Sequence, residues 1–299
     1  MSIKDKLAIY AQVLEEEPMG KHTTYHVGGD VDYYIYPNNG TSLMRIINIL
    51  ESENIPFFIM GRGSNILFSD KPFHGAIINL DRTMNDFYIE EDGTVIAQAG
   101  CSIINLSVQA MKNNLTGLEW ASGIPGSVGG ALYMNAGAYK SNMEAIVEEV
   151  CVLKNHSIVW MKTEDLDFGY RHSIFQTHKD WVILACKLHL ELGKYEDIAD
   201  LMDSRRARRM ASQPLDKPCA GSVFRNPEQM PAWKLIDEMG FRGFQIGGAK
   251  VSEKHSNFIV NENNTASASD IRDLIDLIRR QAKEKYGIHL ITEVEQLNW

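Results

Sequence analysis

Apolar positions along the chain alternate between two periods. Val31-Asp32-Tyr33-Tyr34-Ile35-Tyr36 is rich in β-formers and stops at Pro37, which predicts a strand. Leu43, Ile46, Ile47 and Leu50 then recur at helical spacing, predicting a helix from Thr41, its cap, through Leu50. Pro56–Met60 is the next apolar run, so this part of the chain reads β-α-β. Further strands are predicted at Ala76–Leu80, Thr94–Ala99, Val147–Lys154 and Trp181–Leu190, with one helix at about 102–113. Residues 3–15 read as an amphipathic helix leading into a polar loop at Glu16–Lys21. Near the other end, Pro231–Met239 predicts a short helix and Phe258–Val260 a strand. Ser267 and Asp270 form a capping box for a helix over about 268–286, with the stripe Ile271, Leu274, Ile275, Ile278 and Ala282 and a stop at Gly287. Ile288–Leu297 reads as a last strand. Many short strands among few long helices predict an α+β fold.

Length and charge narrow the classes. With 299 residues, 44% hydrophobic and 23% charged, the chain is long enough for two domains and ordinary for a globular protein. A net charge of −9 argues against nucleic acid as a partner, because phosphate backbones need a basic field. Cys101, Cys151, Cys186 and Cys219 are scattered without metal spacing, which fits a reducing compartment. No basic-then-apolar leader and no apolar run of about 18 residues is visible, so a cytoplasmic protein is expected, with no membrane partner. No obligate protein partner is inferred. Arg205, Arg206, Arg208 and Arg209 follow Asp197, Asp200 and Asp203 on a predicted helix, a pattern that matches the helix dipole. The composition changes near 193–215, where a domain boundary is expected; the chain is divided into 1–27, a helix and lead-in, then 28–193 and 194–299.

Two glycine-rich segments carry the chemistry. Gly123-Ile124-Pro125-Gly126-Ser127-Val128-Gly129-Gly130-Ala131 runs on to Asn135-Ala136-Gly137-Ala138-Tyr139, with five glycines in the fifteen residues 123–137. Bare backbone of this kind lets amide groups approach something large, flat or anionic, and the interleaved apolar residues distinguish it from a flexible linker. Gly61-Arg62-Gly63-Ser64-Asn65 follows the Phe57–Met60 strand and gathers amides, a hydroxyl and a guanidinium, a set suited to a pyrophosphate or to a plain tight turn. Ile66 stands where a Rossmann fingerprint needs its third glycine.

These segments, with Thr23-Thr24-Tyr25 and Gly28-Gly29, resemble the flavin-binding domain of the UDP-N-acetylenolpyruvoylglucosamine reductase (MurB) family. Nearly the whole chain shares the family's order of blocks: His22–Gly29, Gly61–Asn65, Gly123–Tyr139, Tyr170–Phe175, Gly221–Pro227, Ile246–Ser252 and Thr292–Val294. The chain departs from the family at His22, usually Asn, at Lys140–Met143, and after Val294, where the usual trailing glycine is missing. It looks like the shorter, type II form. The resemblance implies a two-subdomain FAD-binding domain of the PCMH, vanillyl-alcohol-oxidase-like type over 28–193 and a smaller α+β substrate-binding domain over 194–299. It implies FAD and NADPH as cofactors and small-molecule substrates, a nucleotide sugar and the nicotinamide dinucleotide. FAD contacts are expected from Tyr25, Gly61, Arg62, Gly63, Ser64, Asn65, Gly123, Pro125, Gly126, Ser127, Gly129, Gly130, Asn135, Gly137 and Ala138.

The implied reaction reduces an enolpyruvyl double bond, and its chemistry assigns roles. Negative charge that develops beside the substrate carboxylate calls for a permanently charged planar donor, for which Arg171 is the candidate. Glu293, read as lying in a strand with Ile291 and Leu297 on its face, either orients Arg171 or donates to the carboxylate as a protonated acid. The resemblance assigns the proton delivered to the second carbon to Ser222, which Gly221 lets approach closely. Tyr170, Arg225, Asn226 and His255 are expected on the nucleotide-sugar side, and no metal is required. A flavin oxidase of hydroxy acids or lactones and a nucleotide-sugar-binding module without catalysis are the competing readings. Reoxidation by oxygen alone favours the first, and protein without a flavin spectrum the second.

Overall fold

A computed structural model describes residues 1–299. The chain divides into two units, each assembled from segments far apart in sequence. The first comprises Met1–Glu15, Tyr33–Arg62 and Gly75–Ala207, and the second Glu16–Asp32, Gly63–His74 and Arg208–Trp299.

In the first unit, α1 (Ile3–Ala8) is closed by a Ser2/Asp5 capping box, and the chain then extends as β1 (Ala11–Pro18). The helix predicted over 3–15 therefore stops at its midpoint. The polar loop after it is the end of this strand and a single 3-10 turn, Met19–Lys21. β2 (Asp30–Pro37) leads to α2 (Gly40–Ser52), capped by Asn39, whose side chain accepts the Ser42 amide, rather than by Thr41. Leu43, Ile46, Ile47 and Leu50 are the buried face of α2, each contributing about 1.5–3 kcal/mol on leaving water. β3 (Phe57–Met60) pairs parallel with β5 (Phe73–Asn79), in a sheet of order β1-β2-β5-β3. β5 therefore lies between the two strands of the expected β-α-β unit.

A second sheet of the first unit has the order β12-β11-β13-β7-β6, built from β6 (Phe87–Ile89), β7 (Thr94–Gln98), β11 (Val147–Lys154), β12 (Ser157–Lys162) and β13 (Val182–His189). Its pairings are antiparallel throughout. The helices α3 (Ile103–Lys112) and α4 (Val128–Tyr133) follow β7, and two short ladders join β8 (Leu115–Thr116) to β14 (Glu191–Leu192) and β9 (Gly137–Ala138) to β10 (Ser141–Asn142). One core runs through this unit, from Leu7 and Ile35 through Trp120 to Leu188. The helix α5 (Tyr195–Ser212) buries only Ile198 and Met202 and carries acid in its first turn and Arg209 in its last, as the dipole favours.

The second unit has its own core around Val223, Phe224, Leu235, Ile236, Ile271, Leu274 and Ile278. β15 (Gln245–Ile246), β16 (Ala249–Val251) and β17 (Ile259–Asn261) form an antiparallel sheet, and α6 (Ala232–Glu238) precedes it. α7 (Ala268–Tyr286) follows the sequence reading: Ser267 and Asp270 form the capping box, the five-residue stripe is buried, and Gly287 ends the helix at φ 67°. Burial pushes the Asp270 carboxyl up, but the amides of Ser267 and Gly248 and the Ser267 hydroxyl outweigh it and hold the group below the usual carboxylate range. The final strand is much shorter than predicted: only β18 (Glu295–Leu297) is regular, pairing parallel with β4 (Ile66–Phe68). No helix is long and apolar enough to cross a membrane.

Candidate functional site

Three separated segments of the second unit converge on Glu293. The Glu293 amide donates to the Val223 carbonyl at 2.7 Å and the Arg225 amide to the Ile291 carbonyl at 2.9 Å, with Phe224 and Thr292 forming an antiparallel bridge. From the other side, Asn65 Nδ2 donates to the Glu293 carbonyl at 3.0 Å, and the Glu295 amide returns a bond to the Asn65 carbonyl at 2.9 Å. Glu293 thus sits between the segment that begins at Ser222 and the Gly63–Asn65 turn. It lies before the last strand, not within it. Ile291 is 59% exposed, so the apolar face expected to enclose Glu293 is open on that side.

Ser222 follows Gly221, whose φ of 75° suits glycine and whose Cα has no heavy atom within 4 Å of an added Cβ. The Ser222 hydroxyl is half-buried and makes no hydrogen bond within the protein. Asn257, which the sequence reading did not single out, fixes the next residue. Its Oδ1 accepts the Phe224 amide at 3.0 Å, its Nδ2 donates to the Phe224 carbonyl at 2.8 Å, and its carbonyl accepts the Val223 amide. A buried Asn opening the apolar run Phe258–Val260 was the available signal.

The nucleotide-sugar candidates divide. Asn226 Oδ1 accepts the Ala232 amide and so serves the start of α6. His255 packs edge-on against Phe258 and accepts the Asn257 amide on Nδ1 at 3.3 Å, which leaves the proton on Nε2. Burial, then the Arg242 charge, lowers its pKa and keeps it neutral. Arg225 is half-buried.

In the first unit Arg171 occupies a two-residue turn closed by reciprocal bonds between Gly169 and His172, both 3.1 Å. Its φ is 55°, a left-handed conformation at a residue other than glycine. Arg171 Nη1 donates to the Gly137 carbonyl at 3.1 Å, and the guanidinium lies 5.8 Å from the Tyr170 ring, which is exposed. The turn is therefore anchored on the later part of the glycine-rich segment.

That segment is less open than its composition suggests. Ser127 caps α4 by accepting the Gly130 amide, so 128–133 is helix rather than loop. The amides of Val128 and Gly129 donate to Cys101 and Ala99 carbonyls, and that of Gly126 to Ile124. An added Cβ would lie 2.2 Å from Ser127 Oγ at Gly61, 3.0 Å from Ala99 Cβ at Gly129 and 2.3 Å from the Ser141 carbonyl at Gly137. In the second unit, Gly63 at φ 63° would meet the His22 carbonyl at 2.0 Å. These glycines let neighbouring chain pack close to the main chain. Asn135 is also committed internally: its side chain donates to the Gly169 carbonyl at 2.9 Å and to Glu144, and accepts the Glu144 amide. Gly123, Pro125 and Ala138 are partly or fully exposed.

The groups left over are those a phosphate-bearing cofactor needs. In the first unit Gly130 is exposed, with only Ser127 Oγ near its Cβ position at 3.4 Å, and the Arg62 guanidinium is exposed without an ion pair. In the second, Ser64 is half-buried without a hydrogen-bond partner and the Tyr25 hydroxyl is buried and unsatisfied, its pKa pushed up by burial. Within the first unit, a guanidinium and open backbone suit the phosphates of FAD; within the second, hydroxyl donors suit its polar groups.

Comparison with known proteins adds family and fold. Residues 31–158 match an FAD binding domain model, and residues 213–297 match the model of the C-terminal domain of UDP-N-acetylenolpyruvoylglucosamine reductase. The chain is 44% identical over 280 residues to the UDP-N-acetylenolpyruvoylglucosamine reductase of Caldanaerobacter subterraneus subsp. tengcongensis, covering 93% of this chain and 91% of that one. It is 40% identical over 285 residues to the protein of the same name from Bacillus subtilis, covering 95% and 93%. The solved structure of UDP-N-acetylenolpyruvylglucosamine reductase from Thermus caldophilus superimposes with a TM-score of 0.81 at 29% identity, over 96% of this chain and 99% of that one.

Proposed function

The chain belongs to the UDP-N-acetylenolpyruvoylglucosamine reductase family, and on that premise we propose that it reduces UDP-N-acetylglucosamine enolpyruvate to UDP-N-acetylmuramate with NADPH, a step of peptidoglycan precursor synthesis. When bound, FAD supplies a two-electron carrier between NADPH and the enolpyruvyl double bond. Arg62, Ser64, Gly130 and Tyr25 are the residues we assign to holding it, together with the exposed backbone at Gly123 and Pro125. Gly61, Gly63, Ser127, Gly129, Asn135 and Gly137 belong to the same assignment, each also packed or bonded against neighbouring chain.

One observation carries the reading of the chemistry. Ser222 presents a hydroxyl that no protein group uses, one residue from the Val223 carbonyl that binds the Glu293 amide. Reduction at the methylene carbon leaves an enolate whose other carbon needs a proton. Ser222 Oγ delivers that proton, and Gly221, lacking a side chain, keeps the approach clear. Arg171 is the fixed cation that balances charge growing on the substrate carboxylate. Glu293, whose amide is bonded to the residue after Ser222, is assigned the carboxyl group of the same step. Neutral His255, with Nε2–H as donor, together with Tyr170 and Arg225, serves the nucleotide-sugar portion.

Anaerobic rapid mixing tests this. NADPH should bleach the flavin band of the purified protein, and the enolpyruvyl nucleotide sugar should restore it. Fast reoxidation by oxygen with no response to the sugar would assign a flavin oxidase instead, and colourless protein a binding module.

A further inference from the structure

The left-handed turn that carries Arg171 is held by a residue with no part in the reading above. Gln176 Nε2 donates to the Arg171 carbonyl at 3.0 Å and to the Tyr133 carbonyl at 3.1 Å, with Met134 Sδ at 3.7 Å. Tyr133 is the last residue of α4, where helix carbonyls lack an intrahelical partner, and Ser173 Oγ donates to the same oxygen at 2.7 Å. With Asn135 bound to the Gly169 carbonyl and Arg171 to the Gly137 carbonyl, five side-chain bonds join the segment 169–176 to 133–137.

The Gln176 side chain, through its second bond, also grips the main chain of Arg171. At φ 55° in the second central position of its turn, Arg171 stands where glycine or asparagine is usual, a conformation that carries strain. Such a conformation persists only where its surroundings over-determine it. A carbonyl fixed from behind and a guanidinium fixed at Gly137 leave the residue little freedom to relax. We propose that Gln176 is a positioning residue for Arg171, locking the turn Gly169–His172 onto the end of α4 so that the guanidinium is aimed before substrate arrives. The catalytic part of this inference rests on the role proposed for Arg171. The lock itself does not.

Two variants and two kinds of readout test it. In Gln176→Leu, both donors vanish. Backbone exchange of the Gly169 and His172 amides, followed by mass spectrometry of the turn peptide, should accelerate at least about 10-fold. Anaerobic reoxidation by the enolpyruvyl sugar should slow by about 10- to 100-fold, with flavin content and reduction by NADPH within about two-fold of wild type. In Gln176→Glu, the new carboxyl faces two carbonyl oxygens, which disfavour the anion and welcome the protonated acid as a donor. Its reoxidation rate relative to wild type should therefore rise as pH falls from about 8 to about 5.5, while the ratio for Gln176→Leu stays flat. Unchanged amide exchange, or a flat Gln176→Glu ratio with unchanged reoxidation, would overturn the proposal. Arg171→Lys in parallel separates the two failures. If it reoxidises like wild type, the role of Arg171 falls, and amide exchange in the Gln176 variants alone decides the lock.

Discussion

The glycine-rich segment at 123–139 and the edge formed by 221–225 and 291–295 look equally functional in sequence, yet the structure builds them differently. In the first, polar side chains hold the chain itself: Ser127 caps a helix, Asn135 ties two loops, and several glycines make room for neighbouring main chain. In the second, the amides of Val223, Phe224, Arg225, Glu293 and Glu295 are bonded while the Ser222 side chain is left without a partner. The difference teaches that glycine density reports close approach of something, and only geometry tells whether that something is a ligand or the chain itself. Side chains spared by an otherwise saturated framework are the better pointer to chemistry.

The largest way to sharpen this contrast is at Glu293. Glu293→Ala should slow anaerobic reoxidation by the enolpyruvyl sugar at least about 100-fold with flavin loading intact. Glu293→Gln then separates its two roles, since an amide keeps a donor and loses the negative charge. Near-wild-type turnover in Gln would assign a protonated donor, and loss equal to that of Ala an anion.

Next come paired changes within the glycine segment. Gly137→Val drives a side chain into the Ser141 carbonyl and should destabilise the fold by about 3 kcal/mol, read as a lower thermal midpoint. Gly130→Leu meets almost nothing in the protein and should keep that midpoint while purifying with less flavin. A fully loaded Gly130→Leu would remove this position from the cofactor surface. At the other edge, Asn257→Ala strands the buried amide and carbonyl of Phe224 and should cost about 2 kcal/mol in denaturant unfolding.

The smallest effect is at the start of α7. Ser267→Ala removes the cap of α7 and should cost about 1 kcal/mol. Its partner Asp270 has a folded pKa below its unfolded one. Its stabilisation is therefore complete above the ordinary carboxylate pKa of about 4 and is lost as pH falls through the lower folded value. Acid unfolding of Asp270→Asn should lack that contribution.

How legible the chain was follows from the range of each interaction. α7 was read to the residue because cap, stripe and stop are all local. The helix predicted over 3–15 failed because apolar spacing in that stretch fits either period, and strand pairing, a long-range event, decided for β1. Residues 288–294 look extended and β-rich, but their partners are Val223, Arg225 and Asn65, bonded singly, so only Glu295–Leu297 forms a regular ladder. Ser222, Glu293 and Arg171 could be nominated from their motifs. The left-handed turn under Arg171, and the clamps at Gln176 and Asn257, depend on contacts that no spacing encodes.

The most direct test of the account is the half-reaction split of Ser222→Ala. Reduced anaerobically by NADPH, this variant should bleach at the wild-type rate, then recover its flavin band with the enolpyruvyl sugar about 100-fold or more slowly. Equal slowing of both halves, or recovery at the wild-type rate, would contradict the assignment of the proton to Ser222.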